Sequence, residues 1–183
     1  LLLRAYSVAR ISDERGFKEE LNKLIKTWPG TAESKKAEEI ITFLNKKIPE
    51  LKIEEDKEIA AELYVADSTV NHVFVLIITD PAFNINQATF DVISYNIDNF
   101  TNKNYRTEGV LIDNKYIMIT VSGFSDFSQT LEYYNGFRAE KFVRNPSATK
   151  MMTFIISNNN LKVLNNDKNP GRYQLFFMEK YLK

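Results

Sequence analysis

The chain contains no cysteine among its 183 residues. Disulfides, thiolate metal sites and cysteine nucleophiles are thereby excluded. Net charge is missing too: 24 basic residues balance 24 acidic ones, so no global field draws the chain to nucleic acid or anionic lipid. No apolar run approaches the roughly 18 residues a membrane helix needs, and no membrane insertion by this segment is expected. Histidine occurs once, at His72. A zinc site needs about three protein ligands in close array, so a lone histidine at a strand start reads as structural. No glycine-rich phosphate loop and no G-x-S-x-G elbow appears. The expectation is a protein that is not an enzyme, with no cofactor, metal site or catalytic residue. The start, Leu1-Leu2-Leu3-Arg4, lacks an initiator methionine, and its apolar triplet is too short for a signal sequence. It reads as a segment whose natural N-terminus lies further upstream.

What is present is ordinary for a globular chain: 44% hydrophobic, 26% charged and 13% aromatic residues. The first fifty residues read as helices. Leu2, Leu3 and Tyr6 step along one helical surface that looks for neighbours, and they are the candidate partner-facing residues. Ser12-Asp13 supplies a cap for a second helix with Phe17, Leu21, Leu24 and Ile25 as its stripe and Lys18, Glu19 and Glu20 outside it. Trp28-Pro29-Gly30-Thr31 ends that helix and caps a third, striped by Ala37, Ile40, Ile41 and Leu44. The third ends before Ile48-Pro49. Phe17, Leu21, Leu24, Trp28-Pro29 and Ala37 resemble the end of a tetratricopeptide-repeat array. A plain helical hairpin is the other reading. Residues 51–71 form a charged connection: Glu54-Glu55-Asp56-Lys57-Glu58 fits a solvated linker or helix end, and Ala60–Val65 fits a helix end or a short strand.

From residue 72 the pattern changes. His72–Thr79 is a strand apolar on both faces. Asn86–Phe100 follows as a helix with Phe90, Ile93, Ile97 and Phe100 recurring at helical spacing. Val110–Ile112 and Tyr116–Val121 flank Asp113-Asn114-Lys115, good hairpin chemistry. Tyr116 and Met118 belong to the face expected to be more open, Ile117, Ile119 and Val121 to the face under the helices. Asp126 and Gln129 signal a helix start, with Leu131, Tyr134 and Phe137 as its stripe. Met151–Ile156 is a strand, Ser157-Asn158-Asn159-Asn160 a turn, and Leu161–Leu164 a candidate fifth strand. Asn169-Pro170-Gly171 opens a last helix carrying Tyr173, Phe176, Phe177 and Tyr181. The order strand–helix–strand–strand–helix–strand predicts an α+β fold: a helical hairpin at 1–50, then a ferredoxin-like βαββαβ domain with a C-terminal helix at 72–183.

That plan also hosts acylphosphatases and RNA-recognition domains. Asp80-Pro81-Ala82-Phe83-Asn84 offers neither glycine nor arginine for a phosphate. The strand Tyr116–Ser122 lacks the basic-glycine-aromatic signature of base stacking. No nucleic-acid partner is expected.

Several segments together resemble one family. They are Phe74-Val75-Leu76, Phe90–Asn96, Ile119–Phe124, and Phe154–Leu161 followed by Lys168, Tyr173, Phe176-Phe177 and Tyr181. The chain is similar to the C-terminal region of tetratricopeptide-repeat lipoproteins of the Bacteroidetes, of the PorW/SprE type tied to gliding motility and type IX secretion. The resemblance implies a place in the cell envelope, on the periplasmic side of the outer membrane, through a lipid anchor upstream of this segment. It implies protein–protein contact as the work, with upstream repeats of the same protein and other envelope proteins as partners. The family brings no catalytic residues. The other expectation is a small ligand or peptidoglycan on the Tyr116/Met118 sheet face.

Overall fold

The computed structural model describes Ala5, Ser7 and residues 13–80, 82–139 and 151–182. The protein is α+β, with seven helices and one four-stranded sheet among these residues. It divides into two compact units, Leu1–Glu58 and Ile59–Lys183.

In the first unit, α1 (Glu14–Thr27) and α2 (Ala32–Lys47) pack together, and the first part of α3 (Pro49–Leu63) follows. The caps are those the sequence signals. Asp13 accepts from Gly16 N at 3.0 Å and Thr31 accepts from Ser34 N at 3.2 Å, each answering an amide the helix leaves orphaned. Ala5, Leu21, Leu24, Ala37, Leu44 and Leu51 form the core. Lys18 departs from the reading that placed it outside: it is 5% exposed. Its ammonium donates to Asn45 Oδ1 and to Leu51 O, both at 2.7 Å, and pairs with Glu55 at 3.0 Å. Three donors on one ammonium meet three oxygens, and this permits the burial. The same contacts explain why 51–63 is helical, where a charged linker was the expectation. Proline at the first helical position is pre-set for a helix start. Glu54 and Glu58 then answer Arg15, and Lys52 reaches Asp56 at 3.0 Å.

In the second unit, β1 (His72–Ile78), β2 (Arg106–Ile112), β3 (Tyr116–Ser122) and β4 (Met151–Ser157) form a sheet in the order β2-β3-β1-β4. All three pairings are antiparallel. All seven β1 residues are buried, as its double-faced apolar pattern requires. Asp113 and Asn114 take positive φ, 51° and 53°, and close the β2–β3 turn.

Helices α4 (Ile85–Asn99) and α5 (Phe127–Ala139) share one face. Tyr133 and Phe137 of α5 meet Phe74 at 5.0 and 4.7 Å between ring centroids, and Tyr95 of α4 meets the same two rings. The α5 start carries its expected reciprocal cap. Gln129 N donates to Asp126 Oδ1 while the Gln129 side chain accepts from Ser125 N, both at 2.8 Å.

The C-terminal segment differs from expectation. Residues 161–164 are no fifth strand but part of α6 (Asn158–Asp167), and the triple asparagine is its first turn. Ser157 is the cap, its hydroxyl accepting from Asn160 N. Asn160 then clasps the backbone of Val65: its amide nitrogen donates to Val65 O at 2.8 Å, and its oxygen accepts from Val65 N at 3.1 Å. Helix α7 (Pro170–Tyr181) starts at the expected Asn169 cap.

Candidate interaction surface

The sheet has two edge strands, β2 and β4, and an edge strand carries a row of backbone groups without strand partners. The two are treated differently. Against β4, Tyr173 of α7 donates its hydroxyl to Ile155 O at 3.0 Å, and its ring meets Phe154 at a tilt with centroids 4.9 Å apart. Phe177 of α7 meets Tyr134 of α5 at 5.1 Å. Helices from both sides thus close around β4.

Along β2, Arg106, Glu108, Val110 and Leu111 are exposed. Above it lies α4, held close by two devices. Gly109 leaves room for the helix: a Cβ there would stand 2.5 Å from Thr89 Oγ1 and 3.2 Å from Ile85. Asn96, buried on the inner side of α4, donates to Thr107 Oγ1 at 3.1 Å and accepts from the Tyr133 hydroxyl at 2.6 Å. The Tyr133 hydroxyl is held well above its ordinary pKa, first by burial and then by Tyr95 and Tyr105.

This seating corrects the expected stripe of α4. Its buried residues are Ala88, Val92, Tyr95 and Asn96. Phe90 and Ile97 are 61% exposed and Ile93 is 38% exposed. At about 100° per residue these three lie roughly opposite Tyr95 around the helix axis. Tyr95 points at α5, so the stripe looks the other way, over the free side of β2. An apolar flank and a strand edge without a strand partner among the described residues therefore stand side by side. Sequence periodicity finds the stripe but not its outlook; of its four members only Phe100 packs against the core rings, on Tyr95 and Tyr133.

The other candidates fall elsewhere. Leu2, Leu3 and Tyr6 lie outside the described residues. Tyr116 is half-buried, and Met118 is 4% exposed. By register Met118 shares its face with Ile77, Val75 and Phe154. Val75, Ile77 and Phe154 are fully buried, and α7 covers Phe154. The face expected to be open is covered where it meets β1 and β4. His72 is buried and donates Nδ1–H to Val70 O at 2.8 Å. Its ring meets Phe127 and Tyr181 edge-on, and burial lowers its pKa. Among the described residues no three His, Asp or Glu side chains gather in a metal-holding group.

The first unit has a recess of about 220 Å³ beside Leu24, Trp28, Thr31 and Glu33. Another, of about 50 Å³, lies among the side chains of Arg15, Lys18, Glu54 and Glu58. Both are below the roughly 300 Å³ at which small-molecule pockets begin. No helix among the described residues is long and apolar enough to cross a membrane.

No protein-family model matches the chain, and comparison with curated proteins and with solved structures finds no match.

Proposed function

We propose that this chain is a non-enzymatic protein–protein interaction module whose docking surface is the β2 edge together with the outer flank of α4. The observation that carries the reading is the apolar triplet Phe90, Ile93 and Ile97 exposed beside a strand that has no outer strand partner among the described residues. Contiguous apolar surface on a folded domain marks an interaction site more often than scattered single residues do. A free edge adds main-chain hydrogen bonding to that apolar contact, the combination by which domains take up an extended segment.

On this reading the second unit is a ferredoxin-like domain, supported by the order of its elements and the strand order β2-β3-β1-β4. The α1–α2 pair is the last hairpin of a tetratricopeptide array, supported by its antiparallel packing through Leu21, Leu24 and Ala37. The module belongs to the C-terminal end of an envelope lipoprotein that supports gliding motility or type IX secretion, and the motifs shared with that family support this placement. A small ligand on the Tyr116/Met118 face has less behind it, because Met118 is covered.

Titration of the isotope-labelled chain with a soluble extended peptide bearing valine at alternate positions tests the surface. Amide shifts confined to residues 106–112 and the outer flank of α4 are expected. Shifts at Met118 instead, or none at saturating peptide, overturn it.

A further inference from the structure

Resting on that reading of the surface, we infer that its occupant is a second copy of this chain, joined β2 to β2 in antiparallel fashion so that two four-stranded sheets become one of eight. Three observations select this partner. The first is charge. Arg106 and Glu108 are exposed and two residues apart, hence on one face of β2. An antiparallel copy centred on Thr107 sets each Arg106 opposite the other copy's Glu108, twice over by symmetry. Directly opposed opposite charges stabilise a strand pair and like charges oppose it. Moving the centre to Glu108 would oppose Glu108 to itself, so charge selects the register.

The second is the helix layer. Helix α4 packs on β2 and also touches β3. Strands are spaced about 4.8 Å apart. Two such helices, each set back from its edge over the β2–β3 gap, meet at about the 8–10 Å at which helices pack. Asn96 holds α4 at Thr107, so a two-fold axis at Thr107 passes near Ile93 and Ile97. The stripe then meets its own image, as an isologous interface demands. The flank carries no charge to forbid this: Phe90, Ile93 and Ile97 are joined there by Asn86 alone, while Asp91 and Asp98 lie on other sides of the helix. The third is the contrast of edges. The β4 edge is closed by the chain's own helices, whereas among the described residues β2 has no strand partner on its outer side, so growth of the sheet is directed to one side.

Sedimentation equilibrium over the micromolar range tests this. The wild-type chain is expected to dimerise. Ile97→Asp, at an exposed position, should give a folded monomer. Arg106→Glu should weaken the dimer about tenfold, as two cross-strand attractions become repulsions, and Arg106→Glu with Glu108→Arg should restore it. A wild-type monomer at high micromolar concentration overturns the second-copy inference, and the peptide titration above then decides the docking reading independently. A dimer indifferent to Ile97→Asp and to both charge variants uses another face and overturns the inference, and the peptide titration again decides the docking surface by itself.

Discussion

The Tyr133 hydroxyl donates to Asn96 Oδ1 at 2.6 Å, in the layer between α5 and α4. Asn96 passes the link on to Thr107 of β2 at 3.1 Å. Three elements, α4, β2 and α5, are thereby tied by one amide. Tyr133→Phe keeps the ring contacts and leaves the Asn96 oxygen buried without its donor. It should lower the unfolding free energy by about 1–3 kcal/mol, the cost of a buried group left unsatisfied, measurable by urea denaturation. An unchanged midpoint would mean the link contributes nothing.

Gly109 tests how closely α4 must sit. Gly109→Ala drives a methyl into Thr89 Oγ1, itself pinned by its bond to Ile85 O at 2.8 Å. A loss of about 1–3 kcal/mol is expected from overpacking. Thr89→Ala made together with Gly109→Ala should recover part of it, giving a non-additive double-mutant cycle. Strict additivity would refute the contact.

The two sides of α4 should respond in opposite ways. Val92→Ala, on the fully buried side, should cost about 1–3 kcal/mol through lost packing. Phe90→Ser, on the exposed side, should change the stability of the monomer by about 0.5 kcal/mol or less. Thermal melts at dilute concentration compare them.

Lys18→Ala strips Asn45, Leu51 O and Glu55 of a shared buried donor. A loss of about 2 kcal/mol is expected, typical of hydrogen bonds to a charged group. Faster amide exchange should appear within residues 13–58 and not in the sheet, since the core Lys18 serves lies in the first unit.

His72 makes stability depend on pH. Burial lowers its pKa in the folded chain below the ordinary histidine value of 6.5. The unfolded chain therefore binds the proton first, and the contribution is present in full above pH 6.5 and erodes as pH falls below it. The slope cannot exceed about 1.4 kcal/mol per pH unit for one group. The melting temperature should fall between pH 7 and pH 5 and fall less in His72→Gln. Asp113 and Asp126, whose pKa values are lowered by Lys115 and by the Gln129 amide respectively, act only in more acid solution.

Much of the second unit is legible in the sequence because local and tertiary demands agree there. The strand β1 is apolar throughout and lies inside the sheet, Asp113-Asn114 needs left-handed backbone and takes it, and Asn169-Pro170 caps and opens α7. What escaped has physical reasons. Periodicity cannot say whether a stripe faces a core or a neighbour, so the outward aspect of Phe90, Ile93 and Ile97 is not legible from it. The Asn158-Asn159-Asn160 run has turn chemistry, but Ser157 captures the Asn160 amide and converts the turn into a helix start. Lys18 looks solvated until Asn45 and Leu51 come near. The signal for α3 was present in Pro49 and was outweighed by a run of charges. The bare edge of β2 is a property of strand order, which no local pattern encodes.

The seating of Tyr173 on Phe154 also sets a timetable for synthesis. Val75, Ile77 and Phe154 share a sheet face whose cover includes Tyr173, from the final stretch of the chain. A ribosome that has delivered all four strands has yet to deliver that cover. Until α7 emerges, a greasy plane stands open on the nascent domain, at the stage when aggregation competes with folding. A chain cut between Ser157 and Pro170, before α7, should thus yield a sticky product.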